Sequence, residues 1–193
     1  MKLHKQIYAL CDIELLNKFN FSISSYVQHI SKYNIIYIQY RDKINNGDIQ
    51  KQNILLLKKI TNIPIIINDK LDLLEYADGI HLGQEDLSSL SNKYKLSKEL
   101  TLKLIRKKYQ NKIIGISTHN EVEILETNNL DIDYIGLGAY RDTTTKNISN
   151  ILGNKISYLA KISNHPVGAI GGVQINDDIE HISYNVIGSG LLK

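Results

Sequence analysis

Eight short runs of β-branched and aliphatic residues recur at near-regular intervals, and they constrain the fold of this chain more than any other feature. They occupy residues 6–11, 35–40, 64–68, 79–82, 113–117, 134–137, 167–170 and 185–187. Ile35-Ile36-Tyr37-Ile38 and Ile65-Ile66-Ile67 are nearly continuous apolar runs, the pattern of parallel strands covered on both faces. Between the runs lie amphipathic stretches. In 48–60 the apolar positions are Ile49, Ile54, Leu55, Leu57 and Ile60, and in 96–109 they are Leu100, Leu104 and Ile105, the spacing of crossover helices. Pro64 and Pro166 stand at strand starts, where a missing N–H is tolerated. Eight β units alternating with helices predict an α/β protein, a (β/α)8 TIM barrel, with a doubly wound open sheet as the alternative.

The 193 residues give about 24 per unit, short for a fold that typically takes about 250. The chain ends just past the eighth run, so the final helix is expected to be missing. The apolar surface this would leave beside strands one and eight would be covered by a second copy, making a homo-oligomer, or by a rearranged N-terminal segment. No linker or composition shift divides the chain, so one domain over 1–193 is expected. At 42% hydrophobic residues it is too apolar for disorder. Its 23 basic and 20 acidic side chains are interspersed, which argues against a nucleic-acid surface. Cys11 is the lone cysteine, which excludes an internal disulfide and a cysteine zinc site and fits a reducing, cytoplasmic setting. No apolar run approaches the ~20 residues of a membrane span, and residues 1–5 lead directly into a short strand, not a signal-peptide core.

In a barrel, chemistry is expected where strands end. After the second strand, Gln39, Arg41 and Lys43 alternate along one side of an extended segment and suit a pyrophosphate; the bland reading is a solvated strand end with a salt bridge to Asp42. Asn68 and Asp69 follow the third strand and Asp86 the fourth. Two carboxylates on neighbouring strand ends suit Mg2+, which keeps several waters and bridges to substrate phosphate, whereas singly they read as a helix cap and a turn residue. After the fifth strand, Ser117 or Thr118 could cap a helix in a box with Glu121, and His119 is a candidate acid or base. Thr143, Thr144, Thr145 and Lys146 after the sixth strand could hold an anion, as could the glycine-rich ends of strands seven and eight, Gly171-Gly172 and Gly188-Ser189-Gly190.

Assembled in order, these pieces resemble the thiamine phosphate synthase and thiazole tautomerase family. The likeness runs from Tyr8-Ala9-Leu10-Cys11-Asp12 to Ser189 through Gln39-x-Arg41-x-Lys43, Ile67-Asn68-Asp69, the run from Ala77 to Asp86, Gly115-Ile116-Ser117-Thr118-His119, Thr143-x-Thr145-Lys146 and Ala169-Ile170-Gly171-Gly172. The resemblance implies a synthase joining an aminopyrimidine methyl diphosphate to hydroxyethylthiazole phosphate with release of pyrophosphate. It implies that Gln39, Arg41, Lys43, Asn68, Ser117 and Lys146 contact the pyrimidine diphosphate, with Arg41, Lys43, Ser117 and Lys146 catalytic. Asp69 and Asp86 would hold Mg2+, and Thr143, Thr144, Thr145, Gly172, Gly188 and Ser189 would bind the thiazole phosphate. The alternatives are a tautomerase using His119 as acid or base, and a non-catalytic binder of a phosphate ligand. The chain departs from the family pattern at Ala139, where proline is common, at Tyr140-Arg141-Asp142, a stretch usually apolar, and at Cys11, where a hydroxyl residue is usual. Of the three arginines, Arg41, Arg106 and Arg141, two fall on loops assigned to the active face, and Arg141 has no expected role.

Overall fold

The structure, a computed structural model, describes residues 5–142 and 151–193. Eight parallel strands close on themselves in sequence order, β1 (Gln6–Asp12), β2 (Ile35–Arg41), β3 (Ile65–Asn68), β4 (Gly79–Leu82), β5 (Ile113–Thr118), β6 (Tyr134–Gly138), β7 (Val167–Ile170) and β8 (Tyr184–Ile187). β8 returns to pair with β1, so the open-sheet alternative is excluded. Each strand lies within a residue or so of its expected position, because parallel strands buried on both faces need unbroken apolar runs.

Alternation along the strands separates two apolar layers. Ile7, Ala9, Ile38, Ile65, Ile67, Ile80, Leu82, Ile114, Ile116, Ile135 and Leu137 face outward under the helices. Each fully buried isoleucine or leucine contributes about 2 kcal/mol of apolar transfer. Tyr8, Ile66, Tyr134, Tyr184 and Val186 fill the barrel interior, with Tyr37 packed against them. Such rings fit where the neighbouring strand gives up its side chain. Gly115 is the register partner of Tyr134, and a Cβ there would fall 2.0 Å from that ring.

The connections depart from simple alternation. β1 and β2 are joined by two helices, α1 (Ile13–Lys18) and α2 (Ile23–Ile30), capped by Asp12 and Ser22. α3 (Gly47–Ile60) links β2 to β3, whereas a 3-10 segment, Leu71–Tyr76, links β3 to β4. α4 (Gln84–Tyr94) and α5 (Lys98–Lys108) precede β5; α6 (Glu121–Thr127) and α7 (Lys155–Lys161) precede β6 and β7. Among the described residues no helix joins β7 to β8, and β8 is followed by the 3-10 turn Ser189–Leu191. Residues of α1 and α2, with Leu191 and Leu192, belong to the outer apolar layer, so the N-terminal segment shares in covering that side of the barrel. Among the described residues no helix is long and apolar enough to cross a membrane.

Candidate active site

Alternation turns Gln39 and Arg41 of β2, Asn68 of β3, His81 of β4 and Ser117 of β5 toward the barrel interior, close to the C-terminal ends of their strands. The outward neighbours, such as Ile38, Ile67, Ile80 and Ile116, are fully buried and anchor the row. Gln39 is buried and donates from Nε2 to Tyr8 Oη at 2.9 Å. Arg41 is ion-paired with the buried carboxylate of Asp12, across the β1–β2 register, not with Asp42. Asp42 instead accepts from Tyr40 Oη at 2.6 Å, from Asn45 Nδ2 at 2.9 Å and from the N–H groups of Ile44 and Asn45. Burial pushes its carboxyl up, but those bonds outweigh burial and leave it below its ordinary value. Lys43 lies past the end of β2 and is exposed, so the expected row of three narrows to Gln39 and Arg41 on the strand with Lys43 at the rim.

Asp69 and Asp86 come together. Asp69 has φ 62°, a left-handed conformation that aspartate tolerates better than most residues, and its carboxylate accepts from Asn68 and, at 3.2 Å, from the Gly83 N–H. It is therefore not a helix cap, since Lys70 precedes the 3-10 segment. Asp86 is not a turn residue either; it sits in the first turn of α4, where the helix dipole favours an anion, and a Cβ on Gly83 would lie 2.7 Å from its Oδ2. Burial, then the neighbouring Asp86 charge, raise the Asp69 carboxyl above its ordinary value. Neither carboxylate has an ion-pair partner among the described residues, and no third His, Cys, Asp or Glu joins them there. Two facing, unneutralised carboxylates fit a hard divalent cation that completes its shell with water and phosphate oxygens.

This repulsion yields a stability prediction. Because the folded chain holds the Asp69 proton more tightly than the unfolded chain does, its contribution is present at low pH and lost as pH rises through the carboxylate range. Asp86→Asn removes the second of the two causes, so it should lessen that loss, with the part due to burial remaining, and raise Tm by about 2 °C at pH 7 in chelator. Mg2+ should raise the wild-type Tm and leave that of the variant unmoved, in a thermal melt with and without the ion.

His81 stacks on Tyr134 with ring centroids 5.5 Å apart, and its ring nitrogens bond Tyr134 Oη and Ser117 Oγ. Burial, then the nearby His119 charge, push its pKa down to about 4. Burial likewise raises the phenols of Tyr8 and Tyr134, so both keep their protons. His119 is exposed at the rim and tied to Glu123, Nδ1 to Oε2 at 2.9 Å. The α6 cap is Asn120, which accepts from the Glu123 N–H, whereas Thr118 is buried and donates to the Gly136 carbonyl; the expected box with Glu121 does not form.

Gly171 and Gly172 leave β7 with φ 88° and 64°, and a Cβ on Gly172 would lie 2.7 Å from the Asp142 carbonyl oxygen. Gly188 and Ser189 leave the adjacent β8. Arg141 now has a place. It grips Asp177 with two bonds of 2.6 and 3.0 Å, donates to the Gly172 carbonyl and stacks on Tyr140, tying the β6 loop to the β7 turn. Thr143, Thr144, Thr145 and Lys146 lie outside the described residues. A separate cleft of about 380 Å3, lined by Gln84, Leu87, Lys98, Glu126, Thr127 and Leu130, touches this region only through Gln84, which donates to the Ser117 carbonyl.

Asp12, Tyr8, His81 and Tyr134 are members of the site that the sequence did not mark as such. The signal for the tyrosines was a phenol at an inward position of a strand whose other residues are aliphatic or small.

A closed parallel barrel whose polar side chains gather at the C-terminal ends of its strands defines the class, a (β/α)8-barrel enzyme. The family model described as thiamine monophosphate synthase matches residues 7–188, and the chain belongs to that family. It is 33% identical over 173 residues to the thiamine-phosphate synthase of Persephonella marina, covering 86% of this chain and 76% of the relative. With the thiamine-phosphate synthase of Lawsonia intracellularis it shares 33% over 191 residues, 93% of this chain and 81% of the relative. The solved thiamine phosphate pyrophosphorylase from Pyrococcus furiosus superposes with a TM-score of 0.73 at 19% identity, covering 97% of this chain and 87% of that one. A tryptophan synthase alpha-subunit from the same organism reaches 0.67 at 10% identity, covering 98% of this chain and 90% of that chain, which speaks to the fold alone.

Proposed function

We propose that this chain makes thiamine phosphate by joining the methylene carbon of an aminopyrimidine methyl diphosphate to the ring nitrogen of hydroxyethylthiazole phosphate. The C–O bond to the diphosphate breaks, the C–N bond forms, and pyrophosphate leaves with the bonding electrons. The observation that carries this reading is the Asp69–Asp86 pair beside Gln39, Arg41, Asn68 and Ser117 at one end of the barrel.

No side-chain nucleophile is required, because the electron-rich aminopyrimidine can carry the developing cation until the thiazole nitrogen attacks. The chain has to stabilise the charge gathering on the leaving group. Arg41 is oriented by Asp12 and retains N–H donors for diphosphate oxygens. Lys43 adds an exposed charge at the rim, and Ser117 and Asn68 add short polar contacts. Asp69 and Asp86 would hold Mg2+, which when bound supplies charge neutralisation to the diphosphate. Lys146 and the threonines 143–145 join on the strength of the family resemblance, the threonines with Gly172, Gly188 and Ser189 on the thiazole phosphate. A cytoplasmic setting belongs to the same reading, supported by the single, buried Cys11.

The test is a product assay with purified protein, both substrates and Mg2+. Thiamine phosphate and pyrophosphate should appear in equal amounts and only when the metal is present; no product under those conditions would sink the reading.

A further inference from the structure

Gln39 and Ser117 are the two ends of one hydrogen-bonded array that crosses the barrel interior. Gln39 Nε2 lies 2.9 Å from Tyr8 Oη, and Tyr8 Oη lies 2.8 Å from Tyr134 Oη. Tyr134 Oη is 3.0 Å from His81 Nδ1, and His81 Nε2 is 2.9 Å from Ser117 Oγ. The array has a direction, because a carboxamide NH2 can only donate. Tyr8 Oη accepts from Gln39, and because Tyr134 Oη is its only other partner among the described residues, the buried Tyr8 proton goes to Tyr134. Tyr134 accepts that bond and places its proton on His81 Nδ1. A neutral imidazole that accepts at Nδ1 carries its proton at Nε2, and it donates from there to Ser117 Oγ. Ser117 is thus an acceptor within the array and its own O–H remains uncommitted. Its Oγ has no other partner among the described residues, and the residue is only half-buried. In the reverse direction the serine proton would be tied to His81 and lost to a ligand.

We propose that Tyr8 and Tyr134 are positioning residues, holding His81 as the Nε2–H tautomer so that Ser117 offers its hydroxyl proton to an anionic oxygen of the substrate diphosphate. The inference rests on the reading above that Ser117 meets the diphosphate. Both ends of the array reach the same site, so the donor at Ser117 is set before substrate arrives and needs no reorganisation when charge develops.

Histidine-selective 15N–1H correlation spectra read the tautomer in the substrate-free protein. Wild-type His81 should show a protonated Nε2 and a bare Nδ1 at neutral pH. Tyr134→Phe removes the donor to Nδ1; it should mix the two tautomers and lower kcat about fivefold, the worth of one buried hydrogen bond, with KM for both substrates within about twofold. In a Ser117→Ala background the same change should leave kcat within about twofold, since the group it orients is gone. A merely structural defect would lower kcat equally in both backgrounds. If Tyr134→Phe fails to fold, Tyr8→Phe carries the same kinetic expectation, and the wild-type spectrum needs no variant.

A wild-type His81 protonated at Nδ1, or additive kinetic losses, would overturn the inference even in a fully active synthase. An Nε2–H His81 in a protein that makes no thiamine phosphate would support the tautomer assignment while overturning the role at the diphosphate together with the proposed function.

Discussion

Asp69→Asn is expected to lower kcat for thiamine phosphate formation by roughly a thousandfold and to make the remaining rate insensitive to Mg2+. Asparagine is the informative replacement. Asp69 has φ 62°, and asparagine shares aspartate's tolerance of the left-handed region, so the backbone that aims the side chain at Gly83 and Asp86 survives. Alanine would remove the charge and strain the turn together, confounding the two. The variant also relieves the repulsion from Asp86, so its fold should be at least as stable as that of the wild type. A soluble, well-folded protein without metal-dependent turnover would assign the loss to the carboxylate. Steady-state rates across a Mg2+ titration decide the matter; a kcat within tenfold of wild type, still responsive to Mg2+, would remove Asp69 from the metal site.

The strands were legible because burial on both faces demands unbroken β-branched runs, and inward placement of Gln39, Asn68 and Ser117 follows from period-two alternation once those runs are located. What could not be read were pairings set by closure of the barrel. Arg41 has Asp42 as its neighbour in sequence, yet it pairs with Asp12 because β1 lies beside β2 in register. Asp42 is drawn away by Tyr40 and Asn45. The cap of α6 moved from Thr118 to Asn120 because β5 runs one residue longer than its apolar core and buries Thr118 against Gly136. Arg141 looked misplaced in a loop usually apolar, and only the fold shows its carboxylate partner, 36 residues downstream on the turn between β7 and β8. The tyrosine and histidine array was hidden for the same reason, since its four links join five different strands.

Gly115→Ala is expected to be among the most damaging single-methyl insertions in the molecule, costing about 3 kcal/mol of stability, or roughly 6–12 °C in Tm for a chain of this size. Intrinsic preference points the other way, because alanine in a strand interior gains about 0.5–1 kcal/mol over glycine by restricting the unfolded chain. Packing decides the sign. The added Cβ would lie 2.0 Å from Tyr134 Cζ and 2.4 Å from its Oη, far inside contact distance. The ring cannot step aside, since Tyr8, Tyr37, Tyr184 and His81 all lie with ring centroids within 6.0 Å of it. Adding Tyr134→Leu to Gly115→Ala should restore a good part of the lost Tm by returning the space, while kcat stays depressed because the link between Tyr8 and His81 is gone. Thermal melts of the single and double variants, read beside their turnover, therefore separate the two tasks of Tyr134, filling the barrel and orienting His81. A Gly115→Ala protein melting within about 2 °C of wild type would mean that the barrel interior is looser than its ring contacts indicate.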